Sequence, residues 1–388
     1  MRIGIDARVL QNELRGQGQY AYYLIKNLLE AGTEHEYALF YNGFKKGQFA
    51  FPENNPRLKQ VWCRFPGSCL ARSWEKLSFP PVEYFLGDLD LFHNTINYNL
   101  THYSPVPARG KMVVTFHGMA QPQTLWVEYN ADKIRRWLKL VGRVAHKIIA
   151  VSELARKDLL GRISLPYNRV SVVHPGVDDK FMRISDEKEL EPVLSDLGLS
   201  GKRFLLYTGS AEANKNLSRL LDAYKIVLQD KSLGEHYLVL AGRLDANYQA
   251  LIGEARKAGI SERVIFTDYV SHQYLPALYN GAAAFVLPTL YEWFGLPVLE
   301  ALACGIPVAC SRNTGALEVV GERVVSFDPF QSEEIARSIR VLLTDKDLAA
   351  RTRQDCSNIT RSFSWKKTAE KTLAVYQEAC SKEMAGDL

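Results

Sequence analysis

Residues 292–311 read EWFGLPVLEALACGIPVACS. Gly295 followed by Pro297 marks a turn that runs into a helix, because proline's missing N–H and preset φ suit a helix's first position. The spacing predicts a helix over 297–303 and then a strand over 307–310. A continuous apolar run, 284–287, comes before the motif as a further strand. Short apolar strands alternating with helices indicate a parallel sheet covered on both faces. In that frame Glu292 falls in the loop before the helix and Glu300 within it. The backbone N–H groups of Phe294, Gly295 and Leu296 then have an anion as their natural partner. Glu300 can accept hydrogen bonds from paired hydroxyls, such as those of a ribose. Two glutamates at this spacing arise often by chance; the glycine and proline between them make the arrangement more specific.

The same alternation extends outward in both directions. Strands are expected at 2–5, 37–41, 89–93, 112–116, 147–151 and 170–174, with helices such as 20–30 and 132–145 between them. The pattern restarts at 204–208, 237–241 and 264–266 and ends with 324–327. With 388 residues the chain exceeds one ordinary core, which stops growing near ~250–300 residues. The expected fold class is therefore α/β, with two doubly wound domains. Their expected bounds are 1–185 and 186–363, and a C-terminal amphipathic helix lies within 364–388.

Apolar residues make up 47% and charged residues 23%, which excludes a disordered or collagenous chain. Six cysteines without a CxxC pair offer no zinc site and read as reduced thiols. The chain opens directly on a strand, and no apolar run approaches the ~20 residues of a membrane span. A cytoplasmic protein is expected, with any membrane contact peripheral. The net charge of +5 is uneven: residues 1–188 carry +8 and the remainder −3. Such asymmetry points to an anionic partner for the first half.

Three further segments fall where ligands bind in open α/β sheets, at the carboxyl ends of strands. Gly16 and Gly18, in RGQGQY, let backbone N–H groups approach a phosphate, although a plain tight turn explains them equally well. His117, in TFHG, suits a sugar hydroxyl, a proton relay or a metal, against the alternative of a satisfied structural histidine. Gly209 and Ser210, with Lys215-Asn216, suit a diphosphate, although Lys215 could equally be a surface lysine. The full GxGxxG with a following acid is absent, which counts against a dinucleotide oxidoreductase. A nucleic-acid-binding role for the basic half would leave the 292–300 motif unexplained.

Taken together, these segments resemble the retaining glycosyltransferases of family 4 (glycosyl transferases group 1), and most closely the mannosyltransferases among them. The resemblance rests on the Gly16/Gly18 loop, TFHG, AVSELARKDL at 150–159, VVHPGVD at 172–178, TGS at 208–210, Lys215-Asn216, YVSHQYLPALYNGA at 269–282 and the E-x7-E motif of 292–300. It implies the GT-B fold, two Rossmann-like domains facing each other across a cleft. It implies that Glu300 binds the ribose, that Val270 and Ser271 border the base, and that Glu292 contacts the transferred sugar. Phe294, Gly295 and Leu296 would lie near the diphosphate, and Lys215 would neutralise it as it leaves. Gly16, Gly18 and His117 would approach the donor from the first domain. No metal or other cofactor is implied. The implied partners are a nucleotide-diphosphate sugar, with GDP-mannose preferred to a UDP-sugar, and a glycan or lipid-linked acceptor of bacterial O-antigen-type polysaccharide.

One departure stands out: many relatives carry arginine where this chain has Ser210, and a basic residue where it has Asn214. Arg243 is a candidate substitute. Two basic-aromatic regions of the first half could meet an anionic membrane. One is Lys133, Arg135, Arg136, Lys139, Arg143 and Lys147 around Trp137, Leu138 and Leu140. The other runs over 57–76, with Trp62, Arg64, Phe65, Arg72 and Trp74. The competing explanation for both is a solvated face over a core-facing apolar stripe.

Overall fold

The computed structural model describes residues 1–11, 16–43, 51–52, 54–64, 70, 73–74, 79–95, 106, 109–119 and 125–381. The chain forms two units, Met1–Pro175 with Trp365–Leu388, and Gly176–Ser364. Each is a Rossmann-like parallel sheet with helices between its strands.

In the first unit the strands are β1 (Arg2–Asp6), β2 (Glu36–Asn42), β3 (Leu58–Cys63), β4 (Leu91–Asn94), β5 (Lys111–Phe116), β6 (Lys147–Ala150) and β7 (Val170–Val172). They pair in parallel in the order β3-β2-β1-β4-β5-β6-β7. Ile3, Ile5, Phe92, Val113, Val114, Ile148 and Ile149 are buried, as expected for strands covered on both faces. The second unit holds β8 (Phe204–Thr208), β9 (Tyr237–Ala241), β10 (Val264–Phe266), β11 (Ala284–Leu287), β12 (Val308–Ser311) and β13 (Val325–Phe327), in the order β10-β9-β8-β11-β12-β13. Strand order reverses between β1 and β4 in one sheet and between β8 and β11 in the other. Ligands of open α/β sheets bind outside the carboxyl ends at such reversals.

Two expectations change. The segment 176–185, expected in the first unit, packs into the second. Val177 N–H donates to Phe363 O at 2.7 Å, Ile184 N–H donates to Asn280 Oδ1 at 2.8 Å, and Phe181 meets Tyr279 edge-on at 5.8 Å. The region over 57–76 is partly sheet, with Lys59 and Arg64 exposed and its tryptophans packed. Its first residues form β3, where Trp62 stacks on Tyr41 at 4.2 Å, and Arg57 is tied to Leu29 O at 3.1 Å. Trp74 is buried and its indole N–H donates to Pro80 O at 2.9 Å. Phe65 and Arg72 lie outside the described residues.

The helix Leu125–Val144 buries Trp137 and Leu138 and leaves Arg135, Arg136, Lys139 and Arg143 exposed. That is the stripe-and-face arrangement. Lys147 is not on that face: it is buried and paired with Glu378 at 2.7 Å. Among the described residues no helix is long and apolar enough to cross a membrane.

The helix Trp365–Cys380 completes the first unit. Trp365 stacks on Tyr23 at 5.5 Å, and Thr368 Oγ1 donates to His174 O at 2.9 Å. Tyr376 Oη lies 2.6 Å from His93 Nδ1, and His93 Nε2 lies 2.8 Å from Thr115 Oγ1. His93 is thus a satisfied core histidine. Burial first, and then the charge of His117, pushes its pKa down to about 3 against the opposing pull of Asp6. The unfolded chain takes up this proton near pH 6.5, whereas the fold resists it. Because the unfolded state then binds more protons, stability is complete above pH 6.5 and is lost as pH falls toward 3. The melting temperature of the protein is expected to fall steadily from pH 7 to pH 4; a flat profile there would contradict this assignment.

Candidate functional site

The carboxyl end of β8 in the second unit carries Thr208 and the turn Gly209-Ser210. Two buried phenols hold the turn's carbonyls. Tyr207 donates to Ser210 O at 2.7 Å and Tyr248 donates to Gly209 O at 2.9 Å. A Cβ on Gly242 would sit 1.9 Å from Gly209 O, so glycine there lets β9 lie against the turn. Ser210 brings no cation. Arg243 is exposed at the end of β9, and its charge helps hold the Asp268 carboxyl down after the Leu244 and Tyr269 N–H groups.

A 3-10 turn, Ala213–Lys215, follows and ends at Asn216, a left-handed residue at φ 59°. The Asn216 amide donates to Pro288 O at 2.9 Å and to Pro329 O at 2.7 Å. Leu290 N–H donates to Asn214 O at 2.8 Å, joining this turn to the loop after β11. The outcome is a contact between two residues 77 apart: Lys215 Nζ lies 2.7 Å from Glu292 Oε2, both half-buried. Burial lowers the affinity of the Lys215 amine for its proton, but Glu292 by charge and hydrogen bond, with Glu212 adding, raises the pKa overall. The group is an ammonium at any working pH.

Glu292 is held from behind. Its N–H donates to Asn313 O at 2.9 Å and its carbonyl accepts from Gly315 N–H at 2.8 Å. Gly295, at φ 95° and ψ 59°, turns the chain into the helix Leu296–Ala303. The first N–H groups of that helix have no intrahelical acceptor and the positive end of its dipole lies there, so the turn favours an anion. A Cβ on Gly295 would sit 2.9 Å from Thr314 Cγ2 and 3.3 Å from Glu292 Cγ. Gly295→Ala is therefore expected to strain the backbone by ~1–2 kcal/mol and displace Glu292. An activity that uses Glu292 is expected to drop by more than ~10-fold, as misplacement of a positioned group by about 1 Å does. Steady-state rates and a melting curve on purified G295A check both.

Glu300 is 5% exposed on that helix, and Oε2 accepts from Tyr279 O–H at 2.9 Å. The Tyr279 oxygen lies 2.8 Å from Thr208 Oγ1, which closes the site back onto β8. Val270 is buried in the loop after β10, and Ser271 O accepts from Tyr274 N–H at 2.8 Å. The structure therefore brings together Thr208–Ser210, Lys215, Glu292, Phe294–Leu296 and Glu300 around the β8/β11 reversal. Sequence reasoning missed Asn216 as the pin of the lysine turn. It also missed Tyr207, which closes its own turn on Ser210 O, and Tyr248 and Tyr279, whose partners lie far along the chain and leave no local pattern.

The first unit carries the remaining candidates. Gly16, at φ 45°, precedes the helix Gln17–Ala31 and its carbonyl accepts from Tyr20 N–H at 3.0 Å; Gly18 is buried in the first turn. Arg15 lies outside the described residues. His117 follows β5, with Nε2–H donating to Thr95 O at 2.9 Å and its ring edge-on to Tyr20 at 4.7 Å. Burial pushes its pKa down to about 4, partly opposed by the Thr95 carbonyl. A proton relay needs a pKa near the working pH, so a neutral, oriented hydrogen-bonding ring is the better description. Among the described residues no cluster of three or more His, Cys, Asp or Glu side chains is placed to hold a metal ion.

Known proteins are similar to this chain along most of its length. The family model "Glycosyl transferases group 1" matches residues 195–362, and that of "Glycosyltransferase Family 4" matches residues 14–181. The O-antigen chain mannosyltransferase B of Escherichia coli is 27% identical over 390 residues, covering 97% of this chain and 100% of that protein. The serotype-specific mannosyltransferase WbdA of Escherichia coli is 30% identical over 228 residues, 58% of this chain and 28% of that protein. Among solved structures, the sucrose-phosphate synthase of Thermosynechococcus elongatus aligns with a TM-score of 0.76 at 20% identity, covering 97% of this chain and 98% of that one.

Proposed function

The chain belongs to the glycosyl transferases group 1, of GT-B fold, and on that premise we propose that it is a retaining mannosyltransferase acting on GDP-mannose. Its acceptor is a glycan of O-antigen type, carried on a lipid. One observation carries the donor site: Lys215 and Glu292 meet at 2.7 Å beside the Gly295-led helix start that favours an anion. The two Escherichia coli mannosyltransferases support the choice of sugar. The exposed Arg135, Arg136, Lys139 and Arg143 support an anionic, lipid-borne acceptor.

The chemistry follows from where charge develops. The bond between the anomeric carbon and the β-phosphate oxygen breaks, and the electron pair leaves with GDP. The Lys215 ammonium and the fixed N–H groups of 294–296 meet charge that grows in the transition state, so they lower the barrier rather than only tightening binding. Lys215 supplies this charge without a metal ion. The acceptor hydroxyl attacks from the face the diphosphate leaves, and its proton passes to the departing phosphate oxygen. Configuration is thereby retained. Glu292 positions the sugar's hydroxyls, and Glu300 takes the ribose diol.

The test is release of the nucleoside diphosphate (GDP, UDP or ADP) from GDP-mannose, UDP-glucose and ADP-glucose in EDTA, with mannose-terminated glycan supplied free or lipid-linked. Fastest release from GDP-mannose, transfer to the lipid-linked glycan and an unchanged anomeric configuration are expected. Turnover confined to another donor overturns the sugar assignment, and inversion overturns the mechanism.

A further inference from the structure

We infer that Tyr279, backed by Thr208, is the positioning residue that holds Glu300 in register with the paired hydroxyls of the nucleotide. This rests on the reading of Glu300 as the ribose ligand. Tyr279 is wholly buried, yet its hydroxyl lies between two polar partners, Thr208 Oγ1 at 2.8 Å and Glu300 Oε2 at 2.9 Å. A carboxylate only accepts, so the single phenolic proton is directed at Glu300 and the Thr208 hydroxyl must donate to the phenol oxygen. The chain of donors therefore has one direction, from the end of β8 through the helix Leu275–Gly281 to the helix Leu296–Ala303.

The ring cannot swing away. Phe181 meets it edge-on at 5.8 Å and Phe285 lies tilted against it at 5.5 Å. Burial, and then the charge of Glu300, pushes the phenol pKa well above its usual value, so the proton stays in place at any working pH. The last torsion of a glutamate is broad and weakly restrained. A carboxylate meant to grip a rigid diol needs its plane set from outside, as side chains that orient ligating groups do in other sites. With Oε2 anchored, that plane is set before the nucleotide arrives.

This role makes a claim that simple core packing does not. Tyr279→Phe keeps the ring and removes only the hydroxyl. The expected change is in hydroxyl discrimination, read as the affinity ratio between a nucleoside diphosphate and its 2′,3′-dideoxy form, measured by calorimetry with the GDP pair and the UDP pair. The wild-type protein is expected to prefer the ribose form by at least ~10-fold, since a site built for a hydroxyl rejects the analogue lacking it. In Y279F that preference is expected to shrink to within about twofold, and donor KM to rise while kcat at saturation holds within about threefold, the split expected when uniform binding is lost. Thr208→Val, which removes the donor behind the phenol and keeps the shape, should shrink the preference to an intermediate value.

Glu300→Gln in the same assay separates the two layers. If E300Q retains the full preference, the ribose reading fails. If E300Q abolishes it while folded Y279F and T208V both retain it, the positioning role is overturned. If neither GDP nor UDP binds the wild-type protein, both fall together.

Discussion

Lys215→Ala is expected to cut turnover by ~10- to 150-fold, with most of the loss in kcat. A charge-assisted contact is worth ~1.5–3 kcal/mol, and each 1.36 kcal/mol in the barrier is tenfold in rate. The figure is drawn toward its upper end by Ser210 and Asn214, which supply no cation at the turn preceding the lysine. Removing Lys215 also takes from Glu292 the partner it holds at 2.7 Å. The double variant Lys215→Ala, Glu292→Ala should therefore lose less than the sum of the two single losses, as coupled neighbours do. Steady-state kinetics on the three variants decide the matter. A Lys215→Ala enzyme within about twofold of wild type would show that the leaving group is neutralised elsewhere, Arg243 being the first place to look.

Asp6→Ala is expected to have the largest effect on stability. Asp6 ends β1 and forms a two-pronged pair with Arg8, Nε to Oδ1 at 2.8 Å and Nη2 to Oδ2 at 2.6 Å. Both side chains are buried, at 0% and 6% exposure, and the guanidinium lies over the rings of Phe40 and Trp74 at 5.8 and 5.4 Å. Removing one partner of such a pair leaves a desolvated charge and costs ~3–5 kcal/mol. For a unit of this size, at ~2–4 °C per kcal/mol, the melting temperature should fall by roughly 6–20 °C. The double variant Asp6→Ala, Arg8→Met should lose less than Asp6→Ala alone, because an apolar stem replaces the orphaned charge. Equal losses would mean that the carboxylate matters for something other than Arg8.

Much of the fold was legible because its strands are buried on both faces and read as continuous apolar runs. β3 escaped for the same reason in reverse. It is the edge strand, Lys59 and Gln60 interrupt it, and its aromatic Trp62 looks like surface until Tyr41 is found beneath it. The 292–300 motif was legible because a glycine that must adopt a left-handed φ and a proline in the first helical turn leave a local signature. Asn216 and Tyr279 left none. Their partners lie 72 and 113 residues away in one case and 71 and 21 in the other, and only the tertiary fold brings them together. The surplus charge of the first half suggests two basic-aromatic regions, yet Arg57 and Lys147 are spent inside the unit on Leu29 O and Glu378. Among the described residues Lys26, Lys59, Arg64, Arg109 and Lys157 are exposed singly, and Arg135, Arg136, Lys139 and Arg143 are exposed as a row on one helix.

Amide hydrogen exchange on the whole protein, with and without saturating GDP or UDP, locates the donor without assuming its sugar. Protection is expected over 208–216 and 292–300 in the second unit, where the β8 turn, the Lys215 turn and the Gly295-led helix start converge. Binding of either nucleotide with no added protection in those two segments would contradict a donor site built on Lys215, Glu292 and Glu300.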